Sequence, residues 1–197
     1  MTSPTIAPLY IRITHWINAI AVIVMIMSGL KIYNASPIFN FLISNSVTIG
    51  GWLGGALLWH FAAMWILAIN GLIYLTINCY TKRVFTKFFP ITLSGLGHDF
   101  LDTLKGKLSH DDLSVYNTIQ KMAYLSIIVD LIILVLSGLV VWKSVQFPIL
   151  RNIMGGFDSA RIVHFFCMAF AVGFLIIHLI MVAFVPKTLL IMVKGRV

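Results

Sequence analysis

The sequence predicts an all-α fold: an integral membrane four-helix bundle with up-down topology and both termini in the cytoplasm. Hydrophobic residues make up 60% of the 197 and charged residues only 10%, with a mean hydropathy of +0.99. A soluble chain of this length could not place that much apolar surface in one core. The charges that do occur separate four long apolar runs, each sufficient for a helix across about 30 Å of hydrocarbon. They also fall unevenly along the chain, which sets the orientation.

Helix one spans roughly Ile11–Tyr33. It reads as a mature helix rather than a signal peptide, because Arg12 is the only charge ahead of it, no small-residue cleavage pattern follows, and it carries a histidine. The connection Asn34–Val47 is uncharged and contains Pro37, Phe39 and Phe41, so it is expected to pack over the outer mouth of the bundle. Helix two spans Thr48–Tyr80. In the inner connection, Thr81–Tyr116, residues Leu96, Phe100, Leu104 and Leu108 recur opposite Asp99, Asp102 and Lys105, which predicts a short amphipathic helix on the membrane surface. Helix three spans Asn117–Lys143 and helix four Ala160–Val185, and the whole of 1–197 forms one transmembrane domain.

Arg12, Lys82, Arg83, Lys87, Lys105, Lys107, Lys121, Lys187, Lys194 and Arg196 fall on one side of these spans, and only Lys31, Lys143, Arg151 and Arg161 on the other. The imbalance places both termini inside. The net charge of +8 is thus a topology signal and an attraction to anionic headgroups of the lipid bilayer, and calls for no nucleic-acid partner. Cys79 and Cys167 fall in opposite leaflets, too far apart for a disulfide. There is no C-x-x-C-H, so covalent c-type haem is excluded, and no H-E-x-x-H, Walker loop or G-x-S-x-G elbow. Glutamate is absent, which leaves little for a hydrolase built on paired carboxylates.

Four of the six histidines lie inside the apolar runs. A single intramembrane histidine can be an interhelical hydrogen bonder, but ionisable groups at depth are costly and mark function, and neutral imidazole is a common metal ligand. His164 and His178 share helix four with a spacing of nearly four turns, so both leave the same face about 21 Å apart. With the N-terminus inside, the four sort into level pairs: His15 with His178 near the inner face, His60 with His164 near the outer face. One helix could therefore contribute to two metal centres, one in each leaflet.

Arg12 precedes His15 by one turn and Arg161 precedes His164 likewise. Each guanidinium could meet a carboxylate of whatever its histidine holds, such as a haem propionate; the alternative is a pair of interfacial anchors. Gly29, Gly138 and Gly173 lie where a flat macrocycle would approach the backbone, although small residues also serve close helix packing. Taken with the level-paired histidines, they favour haem, since bundle cores build cofactor sites from facing helices.

These residues resemble a known family, the four-helix di-haem cytochrome b subunits of bacterial respiratory oxidoreductases such as nickel-iron hydrogenase, formate dehydrogenase and thiosulfate reductase. The resemblance covers nearly the whole chain and rests on Arg12-Ile-Thr-His15-Trp16, His60, and His164 with His178. Ser28-Gly-Leu-Lys-Ile-Tyr-Asn-Ala-Ser-Pro37, Asn70-Gly-Leu-Ile-Tyr74, Tyr116-Asn117 with Gln120-Lys121, and Gly155-Gly156 through Arg161 to His164 look like the branch paired with periplasmic molybdopterin oxidoreductases of the sulfite-oxidase type. The resemblance implies two haem b groups with bis-histidine ligation, His15/His178 and His60/His164, in the bacterial cytoplasmic (inner) membrane. It implies electron transfer between membrane quinone and a periplasmic redox subunit. A related branch has superoxide oxidase activity, which would make the chain a stand-alone enzyme, and a non-redox anchor is the third reading.

Asp130 is the only acidic residue within a predicted span. Counting inward from Lys121 places it near the level of His15 and His178. A carboxyl there either supports a neighbouring helix or ligand imidazole, or relays protons to a quinone beside the inner haem.

Overall fold

The computed structural model describes residues 5–92, 94–97, 99 and 116–196, and the described residues contain helices and no strands. Four long apolar helices dominate: α1 (Leu9–Ala35), α2 (Leu53–Tyr80), α4 (Thr118–Trp142) and α6 (Phe157–Phe184). Short helices α3 (Arg83–Phe88), α5 (Pro148–Ile153) and α7 (Lys187–Lys194) lie between or after them. The expected four-helix membrane bundle is therefore what the chain forms. Of the expected surface helix, only Leu96 and Asp99 among its named pattern residues fall within the described residues. Phe100, Asp102, Leu104, Lys105 and Leu108 lie outside them, as do His98 and His110.

Local chemistry fixes the helix ends. Asn117 caps α4 through a capping box with Gln120, and Asp99 accepts the Thr118 backbone N–H at 2.6 Å, which sets a carboxylate at the positive end of the helix. The start of α2 falls five residues after the expected Thr48, because Gly50 and Gly51 adopt positive φ and turn the chain before Trp52 caps the helix. Gly155 and Gly156 do the same ahead of α6. α7, which hydropathy does not reveal, follows Pro186 and ends on Gly195 in the left-handed region.

Close helix packing occurs within two hairpins, α1 against α2 and α4 against α6; among the described residues the long helices of different hairpins do not pack closely along their lengths. Small buried residues, Ala21, Ala56 and Ala63 in the first hairpin and Ala160 and Ala171 in the second, let the backbones approach. In the first hairpin Asn70 also donates to the Thr14 carbonyl at 2.8 Å and to Asn18 Oδ1 at 2.7 Å.

The hairpins are joined mainly at their ends. Outside, Tyr33 donates to the Phe39 and Phe41 carbonyls, and Phe39 packs on Phe165 and Phe166 of α6, so the first outer loop covers the mouth of the bundle as the sequence suggested. Arg161 reaches across to the Ser36 carbonyl and hydroxyl. At the other end Ile6 and Ala7 donate to the Gly195 carbonyl at 2.9 and 3.2 Å, Arg12 donates to Val193 at 2.7 Å, and Trp16 to Met192 at 3.1 Å. Both termini are thus clasped at one end, the end that charge placement puts in the cytoplasm.

A candidate pair of bis-imidazole centres

Each of the four intramembrane histidines lies about two turns from the nearest end of its helix. The structure brings them together in the pairs the sequence predicts. His15 of α1 faces His178 of α6 with ring centroids 6.1 Å apart, and His60 of α2 faces His164 of α6 at 6.4 Å. α6 therefore presents one imidazole to each helix of the first hairpin, at two depths.

Each level offers two imidazoles, fewer protein ligands than a zinc site uses. Among the described residues no three His, Cys, Asp or Glu side chains converge, whereas zinc sites take three or four protein ligands. A metal–imidazole bond of about 2.0 Å, extended by half a five-membered ring on each side, places facing centroids roughly 6 Å apart. The observed separations are those that two imidazoles holding one metal atom between them would show, and the residues present fit a haem at both levels.

The outer pair is the more elaborated. Ser28 Oγ lies 2.9 Å from His60 Nδ1 and Ser137 Oγ lies 3.0 Å from His164 Nδ1. Both serines are fully buried. The following glycines, Gly29 and Gly138, sit against the same rings: a Cβ at Gly29 would be 3.4 Å from His60 Cε1, and one at Gly138 would be 3.2 Å from His164 Cε1. The space these two glycines leave is thus occupied by the imidazoles themselves. Gly173, between the two levels, has nothing within 4 Å of an added Cβ. The inner imidazoles instead make ring contacts, His15 with Trp16 and His178 with Phe174, stacked with planes 5° apart.

The other sequence candidates are spread along the bundle. Arg12 and Arg161 stand one turn before His15 and His164, and both bond to main-chain carbonyls of the clasping segments; Arg12 Nε is buried without a partner. Asp130 requires a correction. It is buried and lies beside Cys167, which stands one turn inward from His164 on α6. Its level is therefore that of the outer pair, and eleven residues of α6, roughly 16 Å, separate it from His178. The two cysteines are free. The serine hydroxyls were not among the sequence candidates; the signal that could have found them is the shared Ser-Gly-Leu at 28–30 and 137–139.

A four-helix membrane protein with facing imidazoles at two depths belongs to the class of membrane cytochromes. This chain belongs to the prokaryotic cytochrome b561 family, whose model matches residues 7–195. It is 57% identical over 191 residues, covering 97% of this chain and 96% of the relative, to a protein of Azospira oryzae described as a putative protein-methionine-sulfoxide reductase subunit, YedZ1. The chain is accordingly a multi-pass haem protein of the bacterial inner membrane that serves electron transfer.

Proposed function

We propose that this chain passes electrons from membrane quinol to a periplasmic oxidoreductase, with one b-type haem held by His15 and His178 and a second by His60 and His164. The observation that carries this reading is the facing of two imidazoles at each of two depths, 6.1 and 6.4 Å apart. A haem held by these histidines would supply reversible one-electron chemistry. The chain's own residues do the rest. α6 fixes the spacing of the two sites, and the loop from Ser36 to Trp52 covers the outer end of the bundle.

The Azospira relative's description names a methionine-sulfoxide reductase, and a partner of that kind, a periplasmic molybdopterin subunit, is proposed here. Sulfoxide reduction consumes two electrons and two protons and yields a thioether and water, while quinol oxidation releases two of each. Flow is then from quinol toward the partner. The superoxide oxidase reading has less support. Of the outer cations that would steer an anion, Lys31 bonds Asn45 at 2.7 Å, Lys143 lies over the Trp142 ring, and Arg161 bonds Ser36.

The test is a haem count with a functional assay on the purified chain. About two non-covalent haems per chain are expected, reducible by a quinol and reoxidised on adding the partner with methionine sulfoxide. A single haem, or reduction by quinol without reoxidation by the partner, would overturn respectively the two-centre and the partner assignment.

A further inference from the structure

The two outer histidines meet hydroxyls whose single proton is already committed. Ser28 Oγ lies 2.6 Å from the Val24 carbonyl, and Ser137 Oγ lies 2.7 Å from the Ile133 carbonyl. A carbonyl oxygen only accepts, so each serine must donate there. The same Oγ then has lone pairs alone to offer the imidazole, and the bonds to His60 at 2.9 Å and His164 at 3.0 Å are donated by Nδ1–H. Each ring is held as the tautomer with its proton on Nδ1 and a free lone pair on Nε2.

The arrangement is duplicated. In the first hairpin Ser28 of α1 serves His60 of α2; in the second, Ser137 of α4 serves His164 of α6. Both serines are 0% exposed, so no water competes for the bond. Each is followed by a glycine against the ring edge, which confines the imidazole's position. Among the described residues His15 and His178 have no hydrogen-bonded hydroxyl of this kind.

We propose that Ser28 and Ser137 are positioning residues that preset both outer imidazoles for axial ligation, making the outer site rigid before the cofactor arrives while the inner site is set only on binding. The proposal rests on the bis-histidine reading of the outer pair. A hydrogen bond donated from a ligand imidazole raises its basicity and favours the ferric state, and partners of this sort typically contribute about 10- to 100-fold to metal affinity.

The experiment compares Ser28→Ala, Ser137→Ala and His60→Ala by redox titration and by haem transfer to apomyoglobin. His60→Ala identifies the outer haem by the signal it removes. In each serine variant that same signal should shift to higher midpoint potential and its haem should transfer roughly 10-fold faster, with the inner haem unchanged. Should either alanine variant fail to accumulate, Ser→Cys at the same position, of similar size but a weaker acceptor, should shift the outer signal in the same direction by less. Unchanged potential and transfer rate in the serine variants, with His60→Ala still removing one signal, would overturn the serine proposal alone. A His60→Ala protein that keeps both signals would overturn the ligand assignment and the serine proposal with it.

Discussion

Asp130 of α4 lies beside Cys167 of α6 at the level of the outer histidine pair, one turn inward from His164, and its Oδ2 is buried without a hydrogen-bond partner. A carboxyl in this position lies between the two helices of one hairpin. It stands far from the cytoplasmic end, where proton uptake for an inner quinone would begin.

Asp130→Asn keeps the shape of the side chain and its place beside Cys167. It should retain haem content, both spectra and the rate of reduction by quinol. Stopped-flow reduction of the variant checks this; slower reduction with spectra intact would restore the proton-relay role.

Loss of single histidines should separate the centres. His178→Ala is expected to lose the inner haem and His60→Ala the outer one, each leaving about half the haem per chain, while His98→Ala and His110→Ala leave the count unchanged. Pyridine haemochromogen assays give the answer directly, and equal losses from His98→Ala and His60→Ala would defeat the pairing.

Gly138→Ala places a Cβ 3.2 Å from His164 Cε1, closer than relaxed packing allows. Because the ring is also tied to Ser137, it cannot yield freely, and a cost of about 1–3 kcal/mol is expected. The outer haem's spectrum should broaden or shift, whereas Gly71→Ala, with open space at its Cβ, should match wild type.

Asn70 is buried and supplies both interhelical bonds to Thr14 and Asn18. Asn70→Leu should destabilise the first hairpin by roughly 1–3 kcal/mol, since it leaves the Asn18 carbonyl oxygen without its donor. Thermal loss of the haem absorbance measures it.

Orientation is open to labelling. Single cysteines at Asn40 or Asn152, in a background lacking Cys79 and Cys167, should react with an impermeant maleimide in intact cells, and one at Ser109 should not. The opposite pattern would invert the assignment of inner and outer sites.

Much of the fold was legible because membrane insertion writes itself into composition. Apolar runs gave the four helices to within a few residues, except at Thr48, where hydropathy cannot see that Gly50 and Gly51 turn the chain. Histidine depth gave both pairs, because antiparallel helices convert residue number into level. Counting from Lys121 puts Asp130 too deep toward the inner face, because it ignores how far α4 is offset along α6. Gly29 and Gly138 are legible in the sequence only as small residues, and Ser28 and Ser137 only as their neighbours. Their hydrogen bonds and ring contacts depend on which neighbour they face, and that is a tertiary fact. α7 escaped because Pro186 reads as the end of a span, while its helix is held by contacts to Arg12 and Trp16.

Close helix packing within the two hairpins also divides the outer pair of histidines between two local units. Each hairpin carries its own hydroxyl and imidazole, Ser28 with His60 and Ser137 with His164, so neither orientation depends on the other hairpin. A lesion within one hairpin should therefore leave the other's histidine oriented.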